Sequence, residues 1–183
     1  MKALELLLNR RSQPRLRAPA PSGEVLENIK QAALKAPDHA ALRPWQFIVC
    51  EGEGLLRLGE VYKKAAIASS KSEADIIRAT QLPLRAPMVI VAIAKYAEHA
   101  KVPWVEQVAS ASCAVHAMHL AAITQGFAGV WRTGSYAQDE CVKDAFGLSE
   151  KDEIVGFLYL GTSVSQPSQK VNLDSNDFFK GWN

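Results

Sequence analysis

The 183-residue chain has little of what most readily betrays a function. It holds three cysteines, Cys50, Cys113 and Cys141, far apart and without a C-x-x-C pair. That count argues against a disulfide framework and a zinc cluster, and it fits a reducing compartment. Its longest apolar runs, such as Met88–Ala94, fall well short of the roughly 20 residues of a membrane-spanning helix. The apolar patch Leu4–Leu8 is not followed by a small-residue cleavage site. The chain therefore reads as cytoplasmic and unprocessed, with no membrane partner. A net charge of +2 is too small for a nucleic-acid footprint. Internal repeats, low-complexity segments and a G-x-S-x-G nucleophile motif are absent.

What is present describes one globular domain, residues 1–183. Hydrophobic residues make up 48% and charged residues 22%, and a chain of this length removes roughly 70% of its unfolded surface from water. Its positive charge is unevenly spread. Residues 1–20 carry Lys2, Arg10, Arg11, Arg15 and Arg17 against Glu5 alone, leaving the remainder slightly acidic. So local an excess suits a small anionic group better than a polyanion.

Periodicity places the elements. Leu4, Leu7 and Leu8 share one face of a short helix over Lys2–Asn9, stopped before Pro14. Ser22 is placed to cap a second helix with Val25, Ile29, Ala32 and Ala36 on one face, ended by Pro37. A strand is expected over Trp45–Cys50, a helix over Leu55–Ala68, and a loop or mobile lid over Ser69–Asp75. Met88–Ala94 reads as a buried central strand. Pro103–Gln125 reads as a helix buried on most sides, with Gly126 as its C′ residue. Phe127–Arg132 and Ile154–Leu160 read as strands, and Gln138–Phe146 as a helix. The tail from Ser163 to Asn183 is polar until Phe178, Phe179 and Trp182, aromatics that suit a partner subunit. Strands separated by helices suggest a three-layer mixed fold.

Several patterns compete as sites. Gly52-Glu53-Gly54 follows a strand, but position 57 is Arg where a dinucleotide-binding turn needs a third glycine, so it reads as a tight turn. His116 and His119 lie three apart on one helix, with no Asp, Glu or Cys nearby to complete a metal set. They read as satisfied core or interface histidines. Arg10 and Arg11 could simply cap a helix C-terminus at roughly 0.3–1 kcal/mol each. Ser12 and Arg15, beyond the helix, are not covered by that account. Guanidinium forks with a hydroxyl match a phosphate monoester. Lys35, His39 and Trp45 gather a cation, an imidazole and an indole able to bond and stack on a planar heterocycle. Gly126–Gly134 is a short glycine-flanked strand ending in Trp131, Arg132 and Thr133.

In order along the chain, Arg10-Arg11-Ser12, Ala36–Phe47, Gly126–Gly134 and Ile154–Gly161 resemble the nitroreductase family of FMN-dependent NAD(P)H oxidoreductases. The match is nearest to its short bacterial subgroup. The resemblance implies an α+β fold: a three-layer α-β-α arrangement with a central, mostly antiparallel sheet, built as an intertwined homodimer with FMN at the subunit interface. Arg10, Arg11 and Ser12 would hold the FMN phosphate and ribityl chain, and the contacts can come from opposite subunits. Lys35 and His39 would reach the ring or ribityl side, and Trp131, Arg132 and Thr133 the other wall. The subgroup pattern makes Ala121, Ala122, Ile123, Thr124, Gln125 and Gly126 a nicotinamide contact. Position 35 departs from the pattern, carrying Lys where close relatives would carry Arg. The implied reaction passes hydride from NAD(P)H through flavin N5 to small planar electron acceptors, nitroaromatics and quinones, by a ping-pong mechanism, with no catalytic protein side chain and no metal. Two alternatives stay open: the same flavin fold acting on another conjugated metabolite such as an enal, and a non-catalytic anion-binding module.

Overall fold

The computed structural model describes residues 2–165 and 173–182. Its centre is the apolar run expected as a buried strand, β3 (Met88–Ala94), every residue of which is buried. It lies between β2 (Trp45–Glu51) and β5 (Glu153–Ser163). β5 also pairs with β4 (Ala128–Arg132), and its last residues, Thr162 and Ser163, pair with the two-residue β1 (Leu16–Arg17). Every pairing is antiparallel.

A strand buried on both faces needs a layer on each. Alternation sends Val89, Val91 and Ile93 to one side, against Leu55, Leu58 and Tyr62 of α3 (Glu53–Ala68). It sends Met88, Ile90 and Ala92 to the other, against Ile29 of α2 (Gly23–Ala33) and Val115 and Met118 of α5 (Trp104–Thr124). Each such side chain withdrawn from water contributes roughly 1.5–3 kcal/mol. The expected three layers follow.

β5 adds a bulge. Ala92 pairs with Gly156 and Ile93 with Ile154, so Val155 is the extra residue. The bulge resets the side-chain parity. Ile154 and Phe157, three apart, both face α3, while Val155 and Leu158 both face α2 and α5. At the bulge Gly156 has φ +144, and a Cβ there would lie 2.2 Å from Trp131 Nε1. The indole rests on the strand and donates to Val155 O at 3.0 Å.

The helices differ from expectation in places. α1 (Ala3–Asn9) forms as expected, but Leu4, Leu7 and Leu8 are exposed and Leu6 is its buried residue. Ser22 occupies the N-cap position of α2 without a side-chain cap bond, and α2 stops at Ala33, before Ala36. Ser69–Asp75 is not one loop. Ser72 caps a helix, α4 (Glu73–Gln81), its hydroxyl accepting from Asp75 N at 3.2 Å. The polar composition of this helix conceals it, since only Ala79 is buried. α6 (Glu140–Ala145) begins after an Asp139 cap. Gly52 turns the chain from β2 into α3, as the tight-turn reading expects. The outer surface of α5 exposes Val105, Ala109, Cys113 and His116 at helical spacing. Among the described residues no helix is long and apolar enough to cross a membrane. Of the tail, residues 166–172 and 183 lie outside the described residues. Phe178, Phe179 and Trp182 follow a short 3₁₀ turn and are largely exposed.

The bulge makes a testable demand. Gly156→Ala should destabilise the fold by about 3 kcal/mol or more, because the methyl group collides with Trp131 at a left-handed φ. Gly126, at φ +86 with nothing within 4 Å of its missing Cβ, should lose only about 1 kcal/mol on replacement by Ala. Urea unfolding of both variants checks the ranking, and Trp131 fluorescence should shift only in the first.

Candidate functional site

The cationic corner forms where α1 ends. Arg10 occupies the C-cap position of α1, and its Nη1 donates to Ser12 Oγ at 3.5 Å. Arg11 Nη1 donates to Arg10 O at 3.4 Å. Two ties fix the backbone beyond them. Gln13 N donates to Gly129 O on β4 at 2.8 Å, and the Ser163 hydroxyl at the end of β5 donates to the Gln13 side-chain oxygen. Arg10 and Arg11 are half-buried and Ser12 is exposed. Arg10 forms no ion pair with any described residue. A positive, hydroxyl-bearing corner is therefore held on two strands of the sheet.

His119 lies beneath it. The ring is 3% exposed, and its Nε2 has no hydrogen-bond partner. A Cβ on Gly129 would lie 3.2 Å from His119 Cδ2, which accounts for glycine at that point of β4. Burial pushes the imidazole pKa down to about 4, with the charge of Arg10 helping and a backbone interaction with Gly129 opposing. His119 is thus a neutral core histidine, though not the satisfied one expected, and His116 is exposed.

Trp131, Arg132 and Thr133 all line one cleft beside Tyr136 and Tyr159, although their side chains leave the strand in different directions. Alternation turns the Trp131 indole toward α2 and α5 and the Arg132 guanidinium toward α3, 5.8 Å above the Tyr159 ring. Thr133 is exposed and opens a cleft of about 700 Å³ with Trp104, Val108 and Val155. From Gly129 to Thr133, β4 spans about 13 Å, with the cationic corner at one end and this cleft at the other.

Lys35 and His39 lie elsewhere. The loop after α2 is closed by Asp38, whose carboxylate accepts from Leu42 N at 3.1 Å and Arg43 N at 2.8 Å. These bonds support left-handed backbone at Ala40, Ala41 and Arg43. Ser110 Oγ on α5 donates to Pro37 O at 2.6 Å, and His39 Nδ1 lies 2.8 Å from Glu106 Oε2. An ionised carboxylate can only accept, so Nδ1 carries the proton and Nε2 is left as the other nitrogen. Lys35 is exposed. Glu106 is two residues from both Trp104 and Val108, about 200° round the helix, so His39 faces away from the Thr133 cleft. It is also 13 residues from His119, about 20 Å along the axis of α5. One chain therefore does not bring His39 to Arg10–Ser12 or to Thr133.

The segment Ala121–Gly126 is largely occupied. Ala122 is core, and Gln125 accepts from Asn28 at 3.0 Å and donates to Ala121 O at 2.9 Å. Thr124 and Gly126 remain exposed. Sequence reasoning left Asp38, Glu106 and Ser110 without roles. The i, i+4 spacing of Glu106 and Ser110 on the helix was the available signal for the last two.

Such a sheet, with a fixed cationic corner at one end of a strand and an open cleft at the other, suits a phosphate-bearing planar ligand. The comparisons give the family. The model of the Nitroreductase family matches residues 7–162, and the chain belongs to that family, a family of oxidoreductases. It is 50% identical over 173 residues to the Escherichia coli (strain K12) protein named "Putative NAD(P)H nitroreductase YdjA", covering 94% of each chain. A Haemophilus influenzae relative is 41% identical over 180 residues, 97% of this chain and 98% of that one. In fold it is similar to a nitroreductase-like family protein from Bacillus cereus, with TM-score 0.86, 20% identity and coverage of 100% and 96%. A nitroreductase with bound FMN from Bacteroides fragilis superposes with TM-score 0.72 at 19% identity, covering 98% of each chain.

The buried imidazole sets a pH dependence. Above pH 6.5 His119 is neutral whether the chain is folded or not. As the pH falls from 6.5 toward 4 the unfolded chain takes up the proton first, so stability declines by up to about 3 kcal/mol. Asp152, held down to about 2 by Lys95 and by Ser149 and Tyr96 against the raising effect of burial, loses its contribution only below about 3.8, a separate window. Urea midpoints at pH 7 and pH 4.5 should differ in the wild type, and His119→Phe should remove most of that difference.

Proposed function

We propose that the protein is an FMN-dependent oxidoreductase that takes hydride from NAD(P)H and delivers it to small planar acceptors such as nitroaromatics and quinones, working as a homodimer with a flavin at each subunit boundary. The observation that carries this reading is the layout of β4: the Arg10–Ser12 corner held at Gly129 by Gln13, and the Thr133 cleft about 13 Å further along. The names of its relatives as NAD(P)H nitroreductases and the FMN bound by a protein of the same fold support it.

The chain's own residues fit this cofactor. Guanidiniums and a hydroxyl are the donor set a phosphate monoester takes, and a corner tied to two strands offers them with little ordering cost. Flavin, when bound, supplies the hydride transfer itself. The protein would anchor the phosphate with Arg10, Arg11 and Ser12, leave a flat slot at Trp131–Thr133, and exclude water around it. Lys35 and His39 would contact the same cofactor from the second subunit, since His39 faces away from that slot in its own chain and Lys35 stands four residues before it. A cation at Lys35 or in the arginine corner would favour negative charge gained near the flavin N1 and O2 edge on reduction. In Ala121–Gly126, the exposed Thr124 and Gly126 are the positions we assign to the nicotinamide donor.

The same layout argues for the dimer. Leu4, Leu7, Leu8, Val105, Phe178, Phe179 and Trp182 are all exposed in one chain. So much unpaired apolar surface calls for a partner, and a second copy would supply the Lys35 and His39 that the slot lacks. The free cysteines suit a cytoplasmic setting.

The purified protein should be yellow and should bleach on anaerobic addition of NADH or NADPH. Arg10→Ala combined with Ser12→Ala should weaken FMN binding at least about a hundredfold while the dimer stays folded. It should alter riboflavin binding far less, because riboflavin lacks the phosphate. Equal affinity of wild type and double variant for FMN, read by flavin fluorescence quenching, would overturn the phosphate assignment.

A further inference from the structure

The α3 face of the sheet carries a groove that shares Trp131, Arg132 and Thr133 with the flavin slot and extends beyond it to residues the flavin reading does not use. Two adjoining clefts, of about 490 and 260 Å³, share Leu82, Ser135 and Tyr136. The larger is walled by Tyr62, Tyr136, Tyr159, Arg85 and Arg132, and the smaller adds Lys71, Arg78 and Asp75. Four cations therefore stand against one carboxylate, and that carboxylate already accepts from the Ser72 hydroxyl at 2.7 Å. None of the four cations forms an ion pair with a described residue.

Two of them converge. Arg132 stands over the Tyr159 ring, and its Nε is buried with no acceptor. Burial raises the Tyr159 pKa, and the charges of both Arg132 and Arg85 oppose that rise, so both guanidiniums lie close to the same phenol. Like charges gathered around a buried hydroxyl repel, and an orphaned guanidinium N–H is costly to bury. Both costs vanish if an anion enters between them. Beside the pair, Tyr136 is stacked on the buried Tyr62 at 4.3 Å between ring centroids and lines both clefts. An anion receptor thus adjoins an aromatic platform in a cleft of ordinary ligand size.

We propose that this groove binds the anionic group, carboxylate or phosphate, of a planar reactant, with Arg85 and Arg132 as the forked donors and Tyr136 as the stacking wall. The groove is also lined by Trp131, Thr133 and Gly134, so a reactant held at its Arg85 end lies against the slot assigned to the flavin. In its link to turnover the inference rests on the proposed flavin chemistry. In its binding it does not.

The test uses Arg85→Ala, an exposed position outside the flavin slot, beside the wild type and Arg85→Lys. Benzoate and, separately, inorganic phosphate are titrated into the purified protein and followed by calorimetry. Saturable binding that weakens roughly tenfold in Arg85→Ala and less in Arg85→Lys is expected from the loss of one charge-assisted fork. Turnover then separates the sources of the anion. If the acceptor brings it, kcat/KM for 4-nitrobenzoate falls in Arg85→Ala while that for 4-nitrobenzyl alcohol holds. If the donor brings it, NADPH loses ground against NADH. No binding of either anion to the wild type, or equal affinities in wild type and Arg85→Ala, overturns the proposal. A colourless protein without turnover would defeat the flavin reading and leave the titration to decide this one.

Discussion

The arrangement depends on the bulge at Val155. A regular β5 would alternate without interruption, and either Ile154 or Phe157 would leave the α3 core. With one extra residue, both halves of the strand present apolar side chains to both helical layers, and the left-handed backbone at Gly156 makes room for an indole against the strand. The indole hydrogen bond to Val155 O ties β4 to the bulge as well as to the ladder. Because Trp131 is turned inward by that bond, Arg132 must turn toward α3 and Thr133 toward the open cleft. One irregularity in the centre of the sheet thus decides which face receives the Arg132 guanidinium and which the Trp131 indole.

The second constraint is electrostatic. The arginine corner would be a poor neighbour for a titrating imidazole, and the structure resolves this by keeping His119 dry and neutral at ordinary pH. Glycine at 129 permits the close approach and offers the carbonyl that Gln13 needs. The corner's position on β4 and the neutrality of the core below it are consequences of the same residue. An anion arriving from solvent meets positive charge on a rigid support.

Much of this was legible in the sequence. The run M-V-I-V-A-I-A, short and rich in β-branched residues, reads as a buried strand, and the ordered motifs from Arg10 to Gly161 indicate the family because spacing along the chain survives folding. Element placement at α4 was not legible, since E-A-D-I-I-R-A-T-Q buries one alanine and shows no apolar stripe. The division of Trp131 from Arg132 required the strand's phase, which the bulge sets. The tyrosine–arginine groove draws on positions 62, 85, 132, 136 and 159, contributed by α3, a 3₁₀ turn, β4, a second turn and β5. No local pattern encodes such a set. It exists only once β4 and β5 are paired and α3 has closed over them.

The separation of the His39 loop from the other motif residues bears on the dimer proposed above. Ser110 and Glu106 hold the loop to α5 and Asp38 braces it from within, so it cannot swing some 20 Å to reach its own chain's arginine corner without breaking the bonds to α5. A rigid half-site is wasted in a monomer and useful in the proposed symmetric dimer, where a twofold axis would bring each loop to the other chain's slot. The exposed face of α5 has small and apolar side chains, Val105, Ala109 and Cys113, that permit close helix approach. In that proposed assembly, rigidity of each half and exposure between them would be two aspects of one design: the chain fixes each set of contacts where it can, and their union would come with the second copy. Binding in such a slot would clamp both subunits at once, so cofactor affinity and dimer stability must be linked, each raising the other by the same free energy.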